Sequence, residues 1–165
     1  WRKEKYFYHK LDIIRSMQGI DGFGFFSSKH FFRSDLKSFD KKLQKKYLTN
    51  PSLVPEMPWI DKMVPAAPVN LRKELNRLEW DTLSVKDPMD ENRFFVIYYS
   101  PEEDQKLLKN GDNIVGITGE IFWEFEDEMP AGKFRVSALD RMNNESPLSE
   151  PFENKKEGFW HRIFN

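Results

Sequence analysis

The chain lacks cysteine altogether, which excludes disulfide bonds, thiolate nucleophiles and cysteine-based zinc sites. It has no apolar run near the roughly 20 residues that a membrane-spanning helix needs, and no signal peptide is recognisable within it. The missing cysteine leaves the cellular compartment open, because exported bacterial proteins often lack it too.

Neither sign of charge predominates in the chain as a whole. Lysine and arginine number 26 against 27 aspartates and glutamates, so the net charge is -1 at pH 7. Basic residues are dispersed among acidic ones along the sequence, and no electrostatic footprint for nucleic acid or anionic lipid is indicated. We therefore expect neither nucleic acid nor membrane as a partner.

Motifs for metal or nucleotide binding are missing as well. The three histidines, His9, His30 and His161, are far apart and lack the spacing of metal ligands. Glycines surround the apolar run at 22–26, but no glycine-rich turn opens a following helix, so nucleotide binding has no support. We expect no cofactor.

Aromatic residues are abundant at 15% of the chain, and strand-like runs recur at short intervals in its second half. These runs cover residues 76–81, 93–100, 113–118, 121–125, 133–139 and 147–152. In the first of them Leu78 and Trp80 alternate with charged residues, and in the fifth Phe134 and Val136 do the same, which is the period of a half-buried strand. The spacing predicts a mainly β fold, an antiparallel β-sandwich.

Residues 67–153 resemble a fibronectin type III domain, which is an immunoglobulin-like β-sandwich. The resemblance lies in the segments APVNL (67–71), LEW (78–80), FVIYY (95–99), PAGKFRVSA (130–138) and NESPLS (144–149). Phe134 stands where the family usually has its corner tyrosine, so the hydroxyl-to-backbone hydrogen bond of that corner cannot form there. We expect a slightly weaker corner in the same fold.

Residues 1–48 follow a helix, strand, helix order. The first helix is predicted at 3–17 and the second at 35–48, each with one apolar stripe, and Ser34 is a candidate N-cap. The run GFGFF (22–26) between them is apolar on both faces, which is typical of a strand inside a parallel sheet. No second parallel strand follows in this chain, so its partners are expected to be missing.

The order of these segments resembles the end of the bacterial glycosyl-hydrolase-like family ten proteins, also described as a domain of unknown function. The resemblance is carried by GIDGFGFFSSK (19–29) and PSLVPEMPW (51–59), and it covers nearly the whole chain. It implies four parts: the last helix-strand-helix unit of a (β/α) barrel at 1–48, a proline-rich connector at 49–66, the sandwich at 67–153, and a tail at 154–165. The chain begins at Trp1 inside a helical pattern, which suggests processing or shortening.

The same resemblance implies an exported bacterial enzyme, as a secreted protein or a lipoprotein, that acts on polysaccharide or cell-wall glycan. A glycosidase needs two carboxylates about 5 to 10 Å apart, and the family's acids would lie on earlier barrel strands. We therefore expect this chain to be inactive by itself and assign it no catalytic residue. The acidic run at 120–128 is interpreted as a solvated strand face.

Ser27, Ser28, Lys29 and His30 would follow the barrel strand at its carboxyl end, where barrels carry their chemistry. In an intact parent they would hydrogen-bond a sugar or support a catalytic acid. Alternatively, the two serines satisfy backbone groups at the strand end and His30 caps or packs near the next helix.

Three aromatic residues are candidates for stacking on sugar or for contacts between domains: Trp59, Tyr98 and Trp123. The run at 94–99 is apolar on both faces, so its second face should meet the barrel unit, the connector, another molecule or a glycan. Two functions remain open, an accessory tail of a glycoside hydrolase and a non-enzymatic carbohydrate-binding or spacer module.

Overall fold

The computed structural model describes residues 2–20, 22–24, 37–84, 88, 91–101 and 111–155. The chain divides into two compact units, Trp1–Thr49 and Asn50–Asn165. Both described α-helices belong to the first unit, and all described strands belong to the second.

The first unit contains α1 (Arg2–Ser16) and α2 (Lys37–Tyr47), close to the predicted helices. Their apolar stripes meet, and Leu11 and Leu43 are buried between them. The rings of Tyr8 and Tyr47 stack in parallel with centroids 5.7 Å apart. Because the stripes bury each other, the helix pair has a small core of its own.

Polar groups surround Tyr47 at the edge of this core. Its hydroxyl donates to Asp12 Oδ1 over 2.7 Å, and Lys46 Nζ donates to the same carboxylate over 3.0 Å. These two bonds, with the tyrosine contributing most, hold the pKa of Asp12 below its usual value. The guanidinium of Arg15 donates to the Tyr47 carbonyl over 3.1 Å, so α1 also satisfies the end of α2.

The predicted strand at 22–26 receives no support from its described part. Gly22, Phe23 and Gly24 carry no strand, although Phe23 packs against the helix core. Residues 25–36, which include the candidate cap Ser34, lie outside the described residues. The barrel-type unit at 1–48 therefore stays a prediction.

The second unit is an antiparallel β-sandwich, as predicted. Its strands are β1 (Val69–Glu74), β2 (Arg77–Asp81), β3 (Phe94–Ser100), β4 (Ile114–Thr118), β5 (Phe122–Glu124), β6 (Gly132–Leu139) and β7 (Phe152–Asn154). They form a three-stranded sheet in the order β1-β2-β5 and a four-stranded sheet in the order β4-β3-β6-β7. Two such sheets packed face to face are the architecture of fibronectin type III and immunoglobulin domains.

The core between the sheets follows the predicted alternation. Leu78 and Trp80 of β2 are fully buried against Phe95 and Ile97 of β3, and Phe134 completes the layer from β6. The Trp80 and Phe95 rings lie 5.4 Å apart. Three of the eight buried residues of this core are therefore aromatic, Trp80, Phe95 and Phe134.

The last strand differs from its prediction at 147–152, because only Phe152–Asn154 forms it. Upstream, Ser146 and Ser149 pair with β6 through their side chains: each backbone N–H donates to a β6 carbonyl, while each hydroxyl accepts the returning β6 N–H over 2.9 Å. Pro147 and Pro151 have no N–H to offer to a ladder. Serine hydroxyls therefore replace backbone carbonyls along this stretch.

The outer face of the four-stranded sheet, the face turned away from the core, is covered. Val96 and Tyr98 of β3 are 0% and 1% exposed, and Leu53 and Leu148 pack on them. Ser137 of β6, which alternates with the core residues Val136 and Ala138 and so lies on this outer face, is fully buried for the same reason.

Hydrogen bonds tie the connector to this sheet at both ends. Asn50 Nδ2 donates to Asp112 Oδ1 over 2.9 Å, and the Met57 N–H donates to the Met142 carbonyl over 3.1 Å. Since Leu53 lies between these bonds in sequence, the connector forms a third layer on the sandwich.

A tyrosine hydroxyl does reach the corner backbone, but from a different strand than in the family pattern. Phe134 pairs across the sheet with Tyr99, their ring centroids are 4.9 Å apart, and the Tyr99 hydroxyl donates to the Ala131 carbonyl over 3.0 Å. Gly132, at φ 148°, leaves room for this ring, because a Cβ there would collide with Tyr99 and the Ser100 carbonyl. The corner bond is therefore made by β3.

We predict that Tyr99→Phe lowers the free energy of unfolding by about 1 kcal/mol, because the Ala131 carbonyl loses its donor. Urea unfolding followed by tryptophan fluorescence measures this. Tyr6→Phe, at a side chain that is 66% exposed, is the matched control and should change nothing. Equal stability of the two variants would contradict the assignment.

Candidate functional site

Asp140 is the one fully buried acidic side chain among the described residues. Its Oδ1 accepts the N–H groups of Met142 and Asn144 over 2.7 and 2.9 Å, and its Oδ2 accepts Asn144 Nδ2 over 2.9 Å. These bonds close the loop after β6, in which Asn143 has a φ of 61°. The carboxylate is committed to loop structure, so it is a poor candidate for proton transfer to a ligand.

Glu145, which is half-buried, is a second carboxylate held by hydrogen bonds at this end of the sandwich. The Tyr98 hydroxyl donates to its Oε1 over 2.8 Å, and the Ser137 hydroxyl donates to the same atom over 2.6 Å. Burial, followed by the bond to Glu145, raises the pKa of Tyr98 well above its ordinary value. This cluster stabilises the outer face of the sheet and holds Tyr98 in its protonated form.

The loop after β6 also fixes the connector. Asn144 Nδ2 reaches the Asp61 carbonyl at 3.4 Å, and the Ile60 N–H closes a turn onto the Met57 carbonyl over 2.9 Å. This turn holds Trp59 with 77% of its surface exposed. A large aromatic face is thus presented by a hydrogen-bonded turn, which suits a contact surface.

The other two aromatic candidates are structural in this fold. Tyr98 is 1% exposed, which removes it from the residues that can stack on a sugar; its contacts are within the unit. The Trp123 indole lies directly over Gly116, where any Cβ would collide with it, and it packs against the core. Because β5 and β4 belong to different sheets, Trp123 closes one edge of the sandwich.

Of the remaining candidates, only the acidic residues of the run at 120–128 lie within the described ranges. Ser27, Ser28, Lys29 and His30 lie outside the described residues. The acidic residues 120, 124 and 126–128 are exposed, as predicted, and Glu124 makes a surface ion pair with Arg77 at 3.4 Å. Within the described ranges no cluster of three potential metal ligands occurs, and no helix there is long and apolar enough to cross a membrane.

Among the described residues, an open cleft and a shallow groove between side chains lie away from the connector turn. A cleft of about 660 Å³ at the opposite end of the four-stranded sheet has Tyr99, Pro130, Lys133 and Glu153 among its lining residues. A groove of about 580 Å³ on α2 is lined by Lys41, Lys42, Lys45 and Lys46. The closely spaced lysines can be read from the sequence, but the near-zero net charge of the whole chain gives no indication of them.

Comparison with known proteins gives one distant relative. The chain is 24% identical over 155 residues to the glycosyl hydrolase YngK of Bacillus subtilis (strain 168), and the match covers 91% of this chain and 30% of that protein. The chain thus spans less than a third of the relative's length. No family model matches the chain.

Two solved structures are similar to part of the chain. One, described as a myokine structure, is 21% identical with a TM-score of 0.38 and covers 57% of this chain and 99% of that one. The other is the sixth fibronectin type III domain of human fibronectin type III domain containing protein 3, at 14% identity and a TM-score of 0.37, covering 66% and 94%. The assignment of a sandwich depends on the strand order described above.

We predict that stability conferred by Tyr98 is lost at alkaline pH. The folded-state pKa is raised, so the contribution is complete below the ordinary tyrosine value of about 10 and falls as pH rises above it, by at most about 1.4 kcal/mol per pH unit. Denaturant unfolding of Tyr98→Phe and the parent at a series of pH values tests this. The difference between them should shrink above pH 10, and a constant difference would contradict it; Tyr6→Phe is the control.

Proposed function

We propose that this chain is a non-catalytic accessory region of a bacterial glycoside hydrolase that acts on polysaccharide or cell-wall glycan. The observation that carries the proposal is the similarity to YngK, which extends over both compact units and the connector between them. A match confined to the sandwich would have supported only a shared module.

The hydrogen bonding of the two carboxylates beside the outer face of β3 supports the non-catalytic role. Asp140 is saturated by loop donors and Glu145 accepts two hydroxyl donors. Hydrolysis with either outcome at the anomeric carbon requires one acid free to protonate the leaving group and one carboxylate facing the sugar. In the proposed enzyme both lie in residues beyond this region.

We propose that the sandwich orients the rest of the protein. The proline-rich segment, which is packed and hydrogen-bonded on the sandwich as a third layer, is part of that unit and not a free linker. We further propose that the barrel-type identity of residues 1–48, a substrate-loop role for Ser27, Ser28, Lys29 and His30, and export of the whole protein as a secreted protein or lipoprotein belong to this same assignment.

The proposal predicts that the purified chain releases no sugar from glycans and that the native protein is much larger. Reducing-sugar assays on neutral and acidic polysaccharides should match buffer. An antibody raised against residues 67–153 should detect, in the organism that encodes the chain, a species well above 19.8 kDa. Measurable hydrolysis by the purified chain would contradict the non-catalytic role, and a native species of 19.8 kDa would contradict the accessory role.

A second candidate, a carbohydrate-binding module, is favoured by the exposure of Trp59. Sugar C–H groups stack on such a face, and stacking changes indole emission. This function predicts that soluble oligosaccharides quench part of the tryptophan fluorescence and that Trp59→Ala abolishes the change. Unchanged quenching in Trp59→Ala would count against the site, and Trp59→Phe, which keeps an aromatic face, should retain weaker binding.

A further inference from the structure

Charge is strongly divided between the two compact units, although the chain as a whole is nearly neutral. Trp1–Thr49 has 12 lysines and arginines against 5 aspartates and glutamates, a formal charge of +7, while Asn50–Asn165 has 14 against 22, a charge of -8. The apparent dispersal of basic residues therefore does not hold once the unit boundary is known. A polyanion would be attracted to the first unit and repelled by the second.

The helix α2 carries five of the twelve lysines and arginines of the first unit, all of them lysines, against one aspartate. Lys41 and Lys45 are four positions apart, as are Lys42 and Lys46, so each pair lies on one face of the helix. The two residues of a pair are about 6 Å apart along the helix axis. The groove of about 580 Å³ is lined by these four side chains. Their methylene stems supply its apolar surface and their ammonium groups its charge.

The two pairs are held differently. Lys42 Nζ lies 4.5 Å from the Tyr8 ring centroid and Lys46 Nζ lies 4.8 Å from that of Tyr47, so this pair is fixed to the helix core. Lys41 and Lys45 are exposed and make no ion pair with an acidic side chain of the described residues. Their ammonium groups are available to a ligand.

We propose that the lysine-lined groove of α2 binds a linear anionic glycan that carries carboxylate or phosphate groups at regular intervals. This inference rests on the proposed function, from which it takes carbohydrate as the class of ligand. It adds that this carbohydrate is negatively charged. The paired lysines match repeated anions along one chain, and the apolar floor between them suits the C–H faces of sugar rings.

The surroundings of α2 favour a glycan over a bilayer. An amphipathic helix binds a bilayer by inserting its apolar face, but Leu43 and Tyr47 of α2 are buried against α1. A nucleic acid, whose phosphates lysine also binds, is the alternative that titration with a DNA duplex tests.

The test is a fluorescence titration of the intact chain with polygalacturonate, a phosphorylated dextran, neutral dextran, a DNA duplex and vesicles that contain phosphatidylglycerol. At about 50 mM salt the first or second polymer should bind, dextran should not, and raising the salt should weaken binding. The stronger of the two polymers identifies the anion as carboxylate or phosphate. Lys41→Gln/Lys45→Gln should weaken binding by about fivefold per lysine.

The matched control is Lys62→Gln/Lys73→Gln, which removes two exposed lysines from the acidic unit and should leave binding unchanged. Thermal unfolding confirms that each variant is folded. Absence of binding to both polymers, equal effects of the two double variants, or tighter binding of DNA or vesicles would overturn the inference. A native species of 19.8 kDa together with glycan binding would instead reject only the accessory role.

Discussion

The second unit depends on the covering of the outer face of β3. Val96 and Tyr98 are as apolar as the core residues on the opposite side of the same strand, so a sandwich of seven strands alone would leave this face in water. Leu53 of the connector and Leu148 cover it, and the hydroxyls of Tyr98 and Ser137 converge on Glu145 beside it. The three-stranded sheet needs no such cover, because its outer face carries ion pairs such as that of Arg72 with Asp81 at 2.8 Å. The third layer is therefore required on one side only.

This requirement changes the meaning of the proline-rich segment. From composition it is a stiff spacer, and proline does keep it extended. Its position, however, is set by where Leu53, Met57 and Asp61 meet the sandwich, and these contacts involve residues about 40 to 90 positions later in the chain. A segment held in this way fixes the direction in which the chain enters the sandwich.

Local pattern was sufficient to predict much of this fold. The alternation around Leu78, Trp80, Phe134 and Val136 gave the buried faces, and the helix stripes gave α1 and α2, because each signal is contained within a few residues.

The prediction of β7 was wrong because the pairing of Ser146 and Ser149 uses side chains, which no periodicity reveals. Two further results depend on partners distant in sequence. Tyr98 is buried and so cannot contact a sugar, and the hydroxyl of Tyr99 makes the hydrogen bond of the corner. Trp59 was identifiable as a candidate, but its exposure follows only from the turn that holds it. Charged residues can be counted in the sequence, but the division into a basic and an acidic unit is recognised only with the unit boundary at Thr49.

The serine-mediated pairing after β6 has a consequence for the behaviour of the protein at high concentration. An unprotected sheet edge offers backbone donors and acceptors to any neighbouring chain and so promotes aggregation. Here the sheet edge next to β6 is formed by a strand of only three residues, and two prolines precede it. The hydroxyls of the serines before this strand already accept hydrogen bonds from β6 amides. A strand from another molecule would find few groups to pair with at this edge, so this edge is protected against pairing between copies at high concentration.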